Sequence, residues 1–348
     1  MHERGPRRPH QERVVVDVGV AAYGHSRYLE AAIASVERQL LTSWRLHISQ
    51  DGLPEASLHQ RVAARAEDPR ISWSATGRSV GAAANKTRLL RSATAPYIAL
   101  LDQDDLWDSG FLLRRVQFLE SNPSCAFVFS PLTVIDASGH VIERRPALVA
   151  EGAHASEKII PVLLSASGIP GGSVVVRRTA LKEAGDHFCE FLPRTYDYEM
   201  WIRLALRSPV GHLDVRDVYW RRHAMNASSR NLRDCDQEYQ RLVAHLSDLV
   251  ATERPDVVIG QEVWRRKLSA LLLMTSVDAL ANGDRRVAGR YLWLAIRRAR
   301  RAAFTGRTLA VALKVCSGRF GVRVTDGLLR MNRLRRATAP SVRSVRGR

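Results

Sequence analysis

Tyr97-Ile-Ala-Leu-Leu-Asp-Gln-Asp-Asp-Leu-Trp107 is the stretch on which the fold of this chain turns. Its first five residues form a short apolar run, and three carboxylates follow within four positions. An unbroken apolar run of this length suits a parallel strand covered on both faces. Acids crowded at its end repel one another, so burying them is costly unless a cation neutralises them. Open α/β sheets bind ligands at the carboxyl ends of their strands. Hard carboxylate oxygens placed there favour Mg²⁺ or Mn²⁺, which retain waters and share the phosphate oxygens of a substrate. Taken alone, the cluster also suits an acidic turn in which Asp108 or Ser109 caps the next helix.

Working outward, strand-like and helix-like segments alternate, the pattern of a sheet with crossover helices. Val14 to Ala22 reads as a buried strand, and Arg27 to Leu41 as a helix with Leu29, Ile33, Val36 and Leu40 on one face. Trp44 to Ser49 is a second strand ending in the turn signal Gln50-Asp51-Gly52. Leu58 to Ala66 and Gly81 to Ala93 read as helices, with Ile71 to Ala75 a strand between them. Downstream of the acidic cluster come a helix, Phe111 to Glu120, and a strand, Ala126 to Ser130. From about Val141 the pattern loosens into the Gly- and Ser-rich Ser165 to Ser173. A strand, Val174 to Arg177, and an amphipathic helix, Tyr196 to Leu206, follow. Beyond Arg230 the signals are helical and increasingly basic.

Several segments in fixed order resemble family 2 of the inverting glycosyltransferases, which have the GT-A fold. Ala21-Ala22-Tyr23-Gly24-His25-Ser26-Arg27-Tyr28-Leu29 is similar to the family's Pro-x-Tyr-Asn-x-x-x-Tyr-Leu, and Ser49-Gln50-Asp51-Gly52 stands where the family has Asp-Asp-Gly-Ser. Ser79-Val-Gly81-Ala-Ala-Ala-Asn85 looks like Asn-x-Gly-x-x-x-x-Asn, and the stretch from Tyr97 to Trp107 matches the signature strand with its Asp-x-Asp. Tyr196-Asp-Tyr-Glu-Met-Trp-Ile-Arg-Leu204 and Trp220-Arg-Arg-His-Ala-Met-Asn-Ala-Ser228 are similar to Glu-Asp-Tyr-x-Leu-Trp-x-Arg-Leu and Tyr-Arg-x-His-x-x-Asn-x-Ser. The resemblance covers roughly Val14 to Ser229. Gln50, Tyr196, Gly24, Trp220 and the missing proline at Ala21-Ala22 depart from the pattern and blur which base and sugar are recognised.

The resemblance implies a Rossmann-like, mainly parallel mixed sheet flanked by helices, built to transfer a sugar from a nucleotide-diphosphate donor to an acceptor hydroxyl. By it Ala21, Tyr23 and Asp51 line the nucleotide pocket, Arg78 pairs with phosphate and Asp102 faces the nucleotide. Asp104, a contact of the donor as well, ligates Mn²⁺ or Mg²⁺, with Asp105 and His223 as further ligands. Asp197 is the expected general base, because a carboxylate aimed into the cleft near a helix start can take the acceptor's proton. Glu199, two residues on, should point elsewhere, and Trp201, Ile202 and Leu204 read as core. The acceptor would be a glycan, a lipid-linked sugar or a small molecule, in polysaccharide or glycoconjugate synthesis. A nucleotidylyltransferase would carry a Gly-rich turn after the first strand, which Ala21 to Arg27 lacks. A catalytically inactive nucleotide-sugar or membrane-associated module is the alternative, and loss of Asp197 or the Asp cluster would have favoured it.

Composition limits the remaining choices. Of 348 residues 53 are Lys or Arg and 35 are Asp or Glu, a formal charge of +18. Between Arg290 and Arg348 there are 16 basic residues against the single acid Asp326, so that last segment carries +15 of the excess. Such a tail suits an anionic membrane surface or simple solvation better than nucleic acid, which is not expected as a partner. Cys125, Cys189, Cys235 and Cys316 show no paired or metal-type spacing and read as reduced thiols, and the expected location is the cytoplasm, free or peripheral on the inner face of the cell membrane. The expected organisation is a polar basic tail over residues 1–12, the catalytic domain over 13–230, and a helical, strongly basic region over 231–348.

Overall fold

The computed structural model describes residues 13–299, apart from 25–26, 55, 57–64, 66, 166–168, 224–225, 227–231 and 233. The expected helix from Leu58 to Ala66 and the tail beyond Ala299 therefore fall largely or wholly outside the described residues. Among them, the chain divides into two compact units, residues up to 223 with 244–258, and 224–243 with the residues from 259 on.

The first unit is built on four parallel strands, β1 (Val16–Tyr23), β2 (Trp44–Asp51), β3 (Ile71–Ala75) and β4 (Tyr97–Asp102). Val16, Val18 and Val20 of β1, Trp44, Leu46 and Ile48 of β2, and Leu101 of β4 are all buried. Burial on both faces explains why these strands read as apolar runs without alternation. Helices α1 (Leu29–Glu37) and α2 (Ala82–Ser92) return the chain between strands. α1 stops short of the expected Leu41. Gln39 leaves the helix to donate to the Asp108 carbonyl (2.7 Å) and accept from the Leu112 amide (2.9 Å). Asp17, which interrupts the apolar run of β1, is satisfied by the amides of Thr94 and Ala95 at 2.6 and 2.8 Å and by Arg45.

After β5 (Leu106–Trp107) and α3 (Phe111–Ser121) come β6 (Phe127–Phe129), β7 (Thr133–Ile135), β8 (Val141–Arg144) and β9 (Gly152–His154). They are followed by α4 (Ser156–Ser165), a 3₁₀ turn at Gly171–Ser173, β10 (Val175–Arg177), α5 (Arg178–Glu183), α6 (Tyr196–Arg207), β11 (Val210–His212) and β12 (Val218–Arg221). The main sheet runs β3-β2-β1-β4-β10-β6-β11-β9, and β10 is antiparallel to both of its neighbours. β5, β12, β7 and β8 form a separate four-stranded sheet. The segments beyond Val141 that looked loose are these short strands together with α4 and α5. Three or four residues leave too little period to read.

In the second unit α8 (Gln261–Ala281) and α9 (Arg285–Ala299) are joined by a turn at Gly283, whose φ of 78° suits a residue without Cβ. Ser276 and Ser269 of α8 donate to the carbonyls of Ala288 and Ala295, which fixes the two helices antiparallel. The preceding helix, α7 (Cys235–Glu253), spans the division between the units. No described helix is long and apolar enough to cross a membrane.

Candidate active site

The acidic cluster lies where β4 ends. In register, Ala21 of β1 pairs with Asp102 on one side and Ser49 on the other, and Tyr23 pairs with Asp51. The carboxyl ends of β2, β1 and β4 thus share one edge of the sheet, the place where open α/β sheets take ligands. Gln103, between two acids, clamps the Tyr23 backbone by accepting from its amide (3.0 Å) and donating to its carbonyl (3.1 Å). The Tyr23 ring itself is 60% exposed, free to lie against a planar group.

The three carboxylates have different surroundings. Asp102 receives the ammonium of Lys86, Nζ to Oδ1 2.5 Å. Asp104 Oδ2 is 2.8 Å from His223 Nε2. Asp105 is buried, and its Oδ1 accepts the Arg221 amide at 2.9 Å. Burial and then Asp102 raise the carboxyl of Asp104, with His223 pulling the other way. For Asp105 burial, Asp104 and Asp102 push it well above the usual carboxylate range. Like charges this close resist joint ionisation.

What brings His223 to Asp104 is strand pairing. β12 lies antiparallel to β5, with Val218 opposite Trp107 and Tyr219 opposite Leu106. Running back along β5, β12 carries Arg221 and then His223 to the acidic turn. Arg221 Nε donates to the Asp104 carbonyl at 3.0 Å, and its guanidinium stacks on the Tyr28 ring. The ring of Tyr28 also packs on His223, centroids 4.9 Å apart. Behind this strand, buried Arg115 grips both oxygens of Asp217 at 2.9 Å and donates to the Ser173 carbonyl at 3.0 Å.

Asp197 stands in the first turn of α6, its Oδ1 accepting its neighbour's amide, that of Tyr198, at 2.7 Å. Burial lifts its carboxyl to about 6, against the opposing charge of Lys86. The 3₁₀ turn passes close by. A Cβ at Gly171 would lie 3.3 Å from Asp197 Oδ2, and one at Gly172 would lie 3.8 Å from Asp105 Oδ2. Trp107 holds this turn by donating Nε1 to the Gly172 carbonyl at 2.7 Å. Glu199 points away, as its spacing from Asp197 requires. It is fully buried, ion-paired with Arg203 and 3.2 Å from His245. Met200, Trp201, Ile202 and Leu204 are core.

Asp102, Asp105 and Asp197 thus share Lys86 as a neighbouring charge, the Gly171–Gly172 turn lies beside Asp105 and Asp197, and Asp104 with His223 adjoins the same acidic run. Burial opposes the charge on Lys86, but Asp102, Tyr196 and Asp197 outweigh it and hold the ammonium well above the ordinary lysine range. Asp51 is engaged differently. Its oxygens accept from the amides of Val80 (2.6 Å) and Gly81 (3.0 Å), ordering the loop into α2, on which Arg78 is exposed. Asp108 accepts from the amide of Gly110, the N-cap residue of α3, and makes no side-chain cap on the helix.

Sequence reading passed over Lys86, Gln103, Arg221 and the Gly171–Gly172 turn. Lys86 left a signal: three and four residues from Ala83, Ala82, Leu89 and Leu90, it falls on the apolar face of α2. A lysine there needs a buried partner. Among the described residues Cys125, Cys189 and Cys235 are free thiols.

A sequence profile described as glycosyl transferase family 2 matches residues 17–185. An uncharacterized glycosyltransferase of Methanocaldococcus jannaschii is 25% identical over 195 residues, 55% of this chain and 65% of that one. The chain thus spans just under two thirds of that relative's length. The Escherichia coli protein named UDP-Glc:alpha-D-GlcNAc-diphosphoundecaprenol beta-1,3-glucosyltransferase WfaP is 22% identical, over 63% of this chain and 82% of its own. Among solved structures, S. aureus TarS 1–349 in complex with UDP-GlcNAc superposes with a TM-score of 0.59 at 13% identity, covering 91% of this chain and 92% of that one. The fold is that of the GT-A glycosyltransferases.

Proposed function

We propose that this chain, which belongs to glycosyl transferase family 2 through residues 17–185, moves a sugar from a nucleotide-diphosphate donor to an acceptor hydroxyl with inversion. The observation that carries this reading is the grouping of Asp197 with the Asp102–Asp105 cluster about Lys86. The catalytic domain is assigned to residues 13–230 and the helical region to 231–348.

The donor would enter at the strand ends. Tyr23 offers an exposed ring for the base, while Asp51, held by the Val80 and Gly81 amides and within reach of the Ser79 and Thr76 hydroxyls, shapes the nucleotide pocket beside it. Asp102 faces the ribose, and Arg78 and Lys86 supply positive charge for the diphosphate. The residues suit a divalent cation, Mg²⁺ or Mn²⁺, because a carboxylate oxygen of Asp104 and the His223 imidazole lie together at 2.8 Å beside acids that the protein alone leaves in mutual repulsion. Asp104 and His223 would hold it, with Asp105, walled in by the Arg221 amide, supporting them. Bound there, the cation would supply Lewis-acid stabilisation of the departing diphosphate.

Asp197 acts as the base. Its carboxyl, lifted to about 6, is mostly ionised at neutral pH yet basic enough to accept a proton, the match that general-base catalysis needs. It takes the proton of the acceptor hydroxyl, whose oxygen forms the new bond to the anomeric carbon as the bond to the diphosphate breaks. A single displacement without a covalent intermediate inverts that centre.

A UDP-sugar is the first donor to try, since WfaP is named for UDP-Glc and TarS was solved with UDP-GlcNAc. A lipid-linked glycan is the first acceptor, by likeness to the diphosphoundecaprenol-linked acceptor in the name of WfaP. The test is a thermal-shift panel of nucleotides and nucleotide-sugars with and without Mn²⁺. Stabilisation by one nucleotide-diphosphate class, larger with Mn²⁺, is expected. Binding at 100 times Kd adds about 2.7 kcal/mol to stability. No response to any nucleotide-sugar with either metal would overturn the donor reading.

A further inference from the structure

We propose that the outward face of α9 is a docking surface for an anionic lipid bilayer. At about 100° per residue, Arg286, Arg290, Trp293 and Arg297 fall within an arc of about 60°. All four are exposed. The opposite arc, Ala288, Tyr291, Leu292 and Ala295, is buried in the second unit. The outward stripe is therefore not a core face lacking its cover.

Its chemistry fits one partner. Of the seven tryptophans, Trp293 alone is strongly exposed, at 54%. Leu294 and Ile296, half-buried, flank it on either side of the stripe. The Arg297 guanidinium lies 5.1 Å from its ring centroid. Arg290 reaches Asp236 at 3.1 Å, so its charge is partly shared, whereas α9 itself contains no acid. An amphipathic aromatic ring between aliphatic and arginine side chains is the composition of helices lying in the headgroup region. The arginines meet acidic headgroups while the indole enters the acyl boundary. A nucleic-acid surface would use the charges but leave an indole flanked by aliphatics without a role. The basic residues that follow Ala299 add charge of the same sign.

This inference is independent of the transferase chemistry. The full chain is mixed with vesicles of phosphatidylglycerol and phosphatidylcholine, and with vesicles of phosphatidylcholine alone. Binding is followed by sedimentation and by tryptophan emission. Binding to the anionic vesicles only, with a blue shift that Trp293→Ser removes, is expected. Each basic residue near such a surface is worth roughly fivefold in affinity, so Arg286→Gln/Arg297→Gln should weaken binding on the order of 25-fold. Both residues are exposed, so the variant should unfold at the wild-type temperature, and circular dichroism checks this. Unchanged affinity of the double variant, or an unchanged emission shift in Trp293→Ser, would overturn the assignment. So would equal binding to the neutral vesicles, or binding to an RNA duplex with none to vesicles.

Discussion

At the scale of single residues the site is set by Lys86 as much as by the acids. A buried ammonium between Asp102 and Asp197 lets several carboxylates share one cleft. For Asp197 the pH dependence follows from the sign of its shift. The base must be ionised, so kcat/KM should fall as pH drops through about 6. Four groups act on this carboxyl electrostatically or by hydrogen bond: Lys86 of α2 and the amides of Tyr198 and of Asp197 itself lower it, and Asp102 of β4 raises it. Lys86→Met removes the cation, and the acid limb should then move to higher pH. A limb near the ordinary carboxylate value, or one indifferent to Lys86→Met, would show that Asp197 is not the titrating base. Asp102, Asp104, Asp105, Asp197 and His223 were nameable from sequence because their spacing matched a family pattern. Lys86 lies outside those motifs, and its one sequence signal is its place on the apolar face of α2, which calls for a partner without saying which.

At the scale of elements, the decisive feature is the small sheet. β5 has two residues and β12 four, and their antiparallel pairing carries His223 across to Asp104. Long buried strands such as β1, β2 and β4 announced themselves by unbroken apolar runs. The short ladder did not, because its strands hold too few residues to show a period and its pairing spans more than 110 positions, as from Trp107 to Val218. The Gly171–Gly172 turn read as loop for a similar reason: its role is to leave room beside Asp197, which only the fold reveals. The Arg115–Asp217 pair braces these pieces from behind. Arg115→Met should leave Asp217 with Arg114, at 3.0 Å, as its remaining cation, at a cost of about 1.5–3 kcal/mol for the charged hydrogen bonds lost. Urea unfolding measures this, and a loss below about 1 kcal/mol would mean that Asp217 finds water or another partner.

At the scale of the whole molecule, two units serve different ends. The first carries the whole candidate site, at the carboxyl ends of the parallel strands, with the antiparallel β10 leading on toward α6. The second contributes a helical hairpin whose outer stripe is cationic and aromatic. The parallel half was legible because alternating strand and helix patterns are long and hydrophobic. The division between units was less so, since α7 crosses it without a break.

The central claim is that Asp197 removes the acceptor proton in a donor site built on Asp102 and Asp104. Its most direct measurement is paired turnover and donor-binding calorimetry on Asp197→Asn with the donor class identified by thermal shift. Donor affinity should be unchanged, because Asp197 touches the acceptor side, while turnover should fall by roughly 10²–10⁴. Full turnover in Asp197→Asn would contradict the claim, as would loss of donor binding in step with activity.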